Sequence, residues 1–214
     1  MLYPFSALLA RMKYITRWSL MHSTRAESLS EHTCDTALLA HLLCLIARHY
    51  TGTPCRPKTV AVAALYHDAP EIITGDMPTP IKYYNSTLRD SYKQVEAAAA
   101  DRLLSMLPPE LRPEFEPYLR ESDPEIHAYV KAADKLSAYL KCVEEVKAGN
   151  SEFRLAKEQT WAALMDKPLP ALQYFIDQFL PSFELTLDEL IAAVFEEQRK
   201  AGLDPDDVRE VPFP

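Results

Sequence analysis

Apolar residues recur along the chain at three- and four-residue spacings, and proline, glycine and capping residues mark the breaks between the runs. Ser6 is placed to N-cap a first helix with Leu8, Leu9, Met12 and Ile15 on one face, and Arg17-Trp18-Ser19 breaks that period. Ser28-Leu29-Ser30-Glu31 has capping-box spacing and opens a second helix through Leu38, Leu39, Leu42, Leu43 and Ile46. His32 falls in its first turn, His41 in its middle and His49 at its end. After a turn at residues 51–54, Pro57 suits the first position of a third helix, whose run Val60 to Leu65 leads into His67 and Asp68. Pro70 biases Ala69 away from helical angles, so this helix is expected to end near Asp68. Gly75-Asp76-Met77-Pro78-Thr79-Pro80 is expected to be neither helix nor central strand, but a stiff loop.

The second half repeats the pattern. Ser86 to Leu107 reads as a long amphipathic helix, and residues 108–123 as a surface excursion with a short helix around Phe115 and Leu119. Asp123-Pro124 starts a strong helix that runs to Gly149-Asn150, with Ile126, Val130, Ala133, Ser137 and Leu140 as its inward stripe and Asp134 at the edge of that stripe. Helices follow over Ser151 to Met165 and Pro170 to Leu180. Thr186 to Glu189 is another capping box, opening a helix that is expected to end at Gly202, before a loosely held tail. With no repeat and no convincing strand, the pattern predicts an all-α, single-domain helical bundle.

Composition narrows the function. The chain has 214 residues, enough for one domain with a proper core. Its 4 glycines and the absence of any G-x-x-x-x-G-K or G-x-G-x-x-G run disfavour the common phosphate cradles. A formal charge of -8 argues against a nucleic-acid polymer as partner, so an anionic ligand needs a local basic pocket. No apolar run approaches the ~18 residues of a membrane span. The 4 cysteines form no C-x-x-C pair and are expected as reduced thiols in a cytoplasmic protein. Arg11, Lys13, Arg17 and Arg25 precede any acidic residue, a bias shared by organelle transit peptides and by a basic entrance to a phosphate site.

Four side chains stand near helix ends or on an inward stripe of three predicted helices: His32, His67, Asp68 and Asp134. Two imidazoles and two carboxylates suit a divalent transition metal such as Co, Mn or another first-row ion. Glu71 lies within a turn of the pair, where it can orient or deprotonate a water or protonate a leaving oxygen. Arg17 suits a charge-assisted pair with phosphate, and Trp18 beside it suits a flat or sugar-like group. Each has a plainer reading: Trp18 as a core aromatic, residues 75–80 as a proline-rich connector, the His-Asp pair as chance.

Glu31-His32, Tyr66-His67-Asp68-Ala69-Pro70-Glu71, residues 75–80 and Lys131-Ala132-Ala133-Asp134 resemble the H…HD…D superfamily of helical phosphohydrolases. Arg17 to Met21, Gly75 through Tyr83, Ala138 to Cys142, Ala148 to Asn150, Pro181 to Phe183 and Leu187 to Glu189 resemble one branch, the YfbR-like 5′-deoxynucleotidases. The likeness places the HD-type domain at residues 1–190, with the end of the C-terminal helix and the tail in 191–214. It implies hydrolysis of 2′-deoxyribonucleoside 5′-monophosphates by a homodimer. His32, His67, Asp68 and Asp134 match the metal ligands, Glu71 the catalytic acid and Arg17 the phosphate-orienting residue. Trp18 and the loop Asp76, Met77, Pro78 and Thr79 match the substrate contacts, leaving no room for a 2′-hydroxyl. Thr16, His22, Pro70 and Lys135 depart from the family pattern. A triphosphohydrolase using Lys82, Lys135 and Lys141, an inactive nucleotide-binding regulator and a bundle with chance His and Asp residues are the competing readings.

Overall fold

Ser28 opens a helix of 22 residues that runs through the main core. The computed structural model describes residues 2–82, 84–120 and 123–200, and among them there are helices and no strand. A short helix α1 (Phe5–Leu9) and a 3-10 turn (Ala10–Tyr14) lead to the irregular strap of residues 15–28. Then come α2 (Leu29–Tyr50), α3 (Pro57–Tyr66), α4 (Glu71–Thr74), α5 (Thr79–Lys82), α6 (Ser86–Ser105) and α7 (Arg112–Arg120). The central helix α8 (Pro124–Lys147) follows, then α9 (Arg154–Leu164), α10 (Pro170–Gln178) and α11 (Leu187–Lys200). The all-α reading holds.

Local chemistry explains most boundaries. The Ser28 hydroxyl accepts from the Glu31 amide while Glu31 accepts from the Ser28 amide, a complete capping box. Asp123 accepts from the amides of Glu125 and Ile126 at the start of α8, with Pro124 in the first turn. Thr186 and Glu189 cap α11 reciprocally; its expected end at Gly202 and the tail beyond lie outside the described residues.

Two boundaries correct the sequence reading. Ser6 caps nothing and lies inside α1, which starts two residues earlier than a Ser6 cap would set; Phe5 is buried edge-on against Phe115 with ring centroids 5.1 Å apart, so packing rather than a cap sets the start. Residues 79–82 form the short helix α5, since Pro80 sits in a first turn where its missing N–H costs nothing. The amides of Ile81 and Lys82 both donate to the Pro78 carbonyl.

The core lies between α2, α3, α8 and α10, where Leu43, Ile46, Val60, Leu136 and Leu172 are buried. Every member of the predicted stripe of α8 is buried: Ile126, Val130, Ala133, Ser137 and Leu140. A second cluster joins Phe5, Ala69, Leu103, Leu104 and Leu119. Truncating such a residue, Leu136→Ala for example, costs about 2–5 kcal/mol. The cysteine expectation is overturned. Gly52, at φ 67°, turns the chain back after α2, and Cys44 and Cys55 are joined as a disulfide with Cα atoms 5.5 Å apart. Cys34 and Cys142 remain free thiols. Among the described residues no helix is long and apolar enough to cross a membrane.

Candidate metal centre and its surroundings

The predicted quartet converges where α2, α3 and α8 meet. His32, in the first turn of α2, is fully buried, and His67 and Asp68 lie just past α3, which stops at Tyr66 and passes into a turn over residues 67–70. Asp134 reaches in from the edge of the α8 stripe. Nε2 of His32 stands 3.5 Å from Oδ2 of Asp68 and 3.3 Å from Oδ1 of Asp134. Nε2 of His67 stands 3.2 Å and 4.0 Å from the same two oxygens. The other ring nitrogens are engaged. Nδ1 of His67 donates to the Ala64 carbonyl at 2.7 Å, and Nδ1 of His32 pairs with the Ser137 hydroxyl at 3.2 Å.

Both Nε2 atoms are buried and have no hydrogen-bond partner. A carbonyl only accepts, so His67 Nδ1 carries a hydrogen, and Nε2 directs its other site at two carboxylates. A proton or a shared cation must lie between them. Burial disfavours the protonated ring, yet Asp68 and Asp134 outweigh it and His67 is pushed up to about 9. Asp68 and Asp134 are held below the usual carboxylate range: burial opposes this, but the imidazoles facing both carboxylates, and Lys131 beside Asp134, prevail. Ligand atoms of His32, His67 and Asp68 lie within 4.8 Å of one another, and the nitrogen–oxygen separations of 3.2 to 4.0 Å are ones a divalent ion at about 2.1 Å from each donor can bridge. The donor set and its engaged outer nitrogens fit a divalent metal.

The remaining candidates surround this cluster. Glu71 opens α4, buried, with Oε2 unpartnered. Burial first, then the charges of Asp68 and Asp76, push it up to about 9, against the pull of Arg17 and Lys82. Arg17 directs Nη1 at Asp68 (3.4 Å) and Asp76 (4.0 Å). Of the early basic residues it alone meets the quartet: Arg11 and Lys13 lie over the Tyr14 ring, and Arg25 pairs with Glu31 at the surface. Asp76, Met77 and Pro78 are half-buried after Gly75, whose φ of 75° turns the chain, and Thr79 is exposed at the start of α5. Tyr92 fixes this hinge by donating to the Gly75 carbonyl. Burial raises Asp76, with Asp68 adding to the effect and Arg17 opposing it.

Three further residues escaped the sequence reading. Ser137 was legible as a stripe position but not as the partner of His32. Glu27 accepts from Trp18 Nε1 at 2.9 Å and Arg17 Nε at 3.3 Å, through a strap pairing of Thr16 with Ser28 that no local pattern announces. Glu145, one turn beyond Lys141, is buried and accepts from Thr24, Arg25, Lys141 and Asn150. Its signal was available, since a Lys–Glu pair at i,i+4 continues the buried stripe. The lysines considered for a longer phosphate chain are engaged: Lys141 with Glu145 and the Arg25 carbonyl, Lys135 with the Ala163 carbonyl, Lys82 with Glu96.

The chain is similar to known proteins of one family. A family model described as 5′-deoxynucleotidase YfbR-like matches residues 4–183. A 5′-deoxynucleotidase of Vibrio parahaemolyticus is 48% identical over 188 residues, covering 87% of this chain and 97% of that protein. A 5′-deoxynucleotidase of Shewanella oneidensis is 45% identical over 186 residues, covering 86% and 95%. An HD-domain phosphohydrolase from Listeria innocua superposes with a TM-score of 0.73 at 20% identity, covering 90% of this chain and 97% of that one. The HD phosphohydrolase of cyanophage S-2L, bound to dA and one catalytic zinc ion, superposes with a TM-score of 0.59 at 25% identity, covering 85% and 97%. The chain belongs to the YfbR-like 5′-deoxynucleotidase family.

Proposed function

We propose that this protein is a metal-dependent 5′-deoxynucleotidase, hydrolysing 2′-deoxyribonucleoside 5′-monophosphates to deoxynucleoside and inorganic phosphate. One observation carries the reading: two buried imidazole nitrogens without hydrogen-bond partners face two carboxylates, beside a half-buried Arg17 and a buried Glu71 whose Oε2 has no partner. His32, His67, Asp68 and Asp134 would hold the ion, with Co, Mn or another first-row metal suiting the mixed N and O donors. When bound, it supplies Lewis-acid polarisation of a phosphoryl oxygen and of the attacking water.

The chain's own residues account for the rest. Arg17 turns its guanidinium toward the phosphate in a charge-assisted pair. Glu71, its carboxyl pushed up by burial and by its acidic neighbours, orients the attacking water, gives its proton to the sugar 5′-oxygen as that P–O bond breaks, and takes one back from the water as the new P–O bond forms. Trp18 and the loop Asp76, Met77, Pro78 and Thr79 close around the sugar. Rejection of one added hydroxyl by shape is modest, on the order of 100-fold. The engagement of Lys82, Lys135 and Lys141 elsewhere weighs against a triphosphate substrate. A cytoplasmic homodimer with its catalytic domain over residues 1–190 completes the reading.

The test is phosphate release from dAMP, AMP and dATP, each with Co, Mn, Mg or chelator. Release from dAMP in preference to AMP, abolished by chelator, is expected. Triphosphate release from dATP with dAMP untouched would replace this reading with a triphosphohydrolase.

A further inference from the structure

We propose that Glu27 is a positioning residue that sets discrimination at the sugar 2′ position, by gripping Trp18 and Arg17 through one carboxylate oxygen. The proposal rests on the deoxynucleotidase reading of the site and deepens it.

Oε2 of Glu27 accepts from the Trp18 indole at 2.9 Å and from Arg17 Nε at 3.3 Å. The Arg17 amide also donates to the Glu27 carbonyl at 3.0 Å, so both ends of the contact are tied to the same strap. Trp18 has φ 58°, a conformation an aromatic residue rarely holds without support. That support comes from two sides. Glu27 fixes the edge of the indole, and Phe153, with ring centroids 5.4 Å apart and planes at 58°, backs its face.

The same oxygen settles which atoms of Arg17 meet the site. With Nε committed to Glu27, Nη1 is the atom turned to Asp68 and Asp76. Among the described residues Glu27 bonds to none of the four quartet members, so it acts through the two side chains it holds. A carboxylate can accept both bonds at once. A glutamine keeps one oxygen that can face both donors but loses the negative charge, so neither bond is charge-assisted any longer. Loosening the indole opens the space a 2′-hydroxyl would fill, and loosening the guanidinium weakens the phosphate grip.

The experiment measures kcat and KM on dAMP and AMP, with Mn or Co, for wild type, Glu27→Gln, Glu27→Asp, Trp18→Phe and Glu27→Gln combined with Trp18→Phe. The readout is the dAMP/AMP ratio of kcat/KM, which does not depend on the fraction of folded enzyme. Loss of a charge-assisted bond is worth about 10- to 100-fold. Glu27→Gln is expected to lower the ratio at least about tenfold, chiefly by raising kcat/KM on AMP, while the weaker phosphate grip raises KM on both substrates alike. Glu27→Asp, which keeps the shared charge, restores part of the ratio. Trp18→Phe removes the indole N–H but keeps a ring, and combining it with Glu27→Gln lowers the ratio little further, because both act on the same indole contact. A ratio unchanged in Glu27→Gln, with wild type discriminating, overturns the proposal and leaves the deoxynucleotidase reading standing. Equal losses on both substrates show a stabilising role only and overturn it as well. A wild type that releases no phosphate from dAMP, or releases it equally from AMP, removes both.

Discussion

Helix α8 carries two buried groups of charged side chains, and they are built on opposite terms. Toward its N-terminal half, Asp134 faces His32, His67 and Asp68, and two ring nitrogens and an oxygen of nearby Glu71 are buried with no partner. Near its C-terminal end, Glu145 is just as deeply buried, yet both its oxygens are satisfied by Thr24, Arg25, Lys141 and Asn150. Burying polar atoms without partners costs on the order of 1–3 kcal/mol each. A chain that satisfies one buried cluster completely has the means to satisfy the other. The difference therefore marks the first group as a place for an outside ligand and the second as a clamp that fixes the 22–25 strap.

Asp134→Ala breaks the first group outright. Metal retention measured by elemental analysis should be lost and phosphate release should fall below detection, while full activity would take Asp134 out of the centre. Glu71→Gln separates chemistry from binding. It keeps size and hydrogen bonding but has no acidic proton to give, so kcat on dAMP should fall by about 10²- to 10⁴-fold with metal content unchanged. A fall confined to KM would mean that Glu71 holds substrate instead.

The second group should fail as a structural element does. Glu145→Ala leaves the Lys141 ammonium buried beside unfilled donors, a loss of about 3–5 kcal/mol, read as a lower Tm. Metal content per folded molecule should hold. The sign of its pH dependence follows from the same contacts. Burial opposes ionisation, but the bonds from Lys141, Asn150 and Thr24 hold the folded carboxyl well below its ordinary range. Its stabilisation is fully present above the unfolded value of about 4.3 and is lost as pH falls toward the folded one. Tm should therefore drop on acidification below about pH 4.3 in wild type, and less steeply in Glu145→Gln.

The contrast also explains what was legible beforehand. Caps and periods are local, so α2, α8 and the stripe of α8 could be read from Ser28, Asp123-Pro124 and the spacing of Ile126, Val130, Ala133 and Ser137. His67-Asp68 and Asp134 stood out because metal-capable side chains at a helix end or on an inward stripe have few other uses. Glu27 and Glu145 did not, because their meaning depends on partners brought by the irregular strap, 9–10 residues away for Glu27 and 120 or more for Thr24 and Arg25. The start of α1 was misplaced for a similar reason, since Phe115 lies far along the chain. Cys44 and Cys55 carried no spacing signature, and only the reversal at Gly52 brings them together.

The finest distinction between the two groups rests on Ser137, which lies on the same helix as both and serves only the first. Its hydroxyl pairs with Nδ1 of His32 at 3.2 Å, deep in the core, and so fixes the ring that presents Nε2 to the carboxylates. Outer partners of this kind, when removed, typically lower metal affinity by 10- to 100-fold. Ser137→Ala leaves one buried ring nitrogen of His32 without its partner, so stability should fall by about 1–3 kcal/mol, less than in Glu145→Ala. Metal titration of the apoprotein should show the weakened affinity, and excess metal should restore most of the phosphate release from dAMP. If affinity is unchanged while Tm falls as far as in Glu145→Ala, then Ser137 belongs with the clamp, and the boundary between the two groups on α8 has to be redrawn.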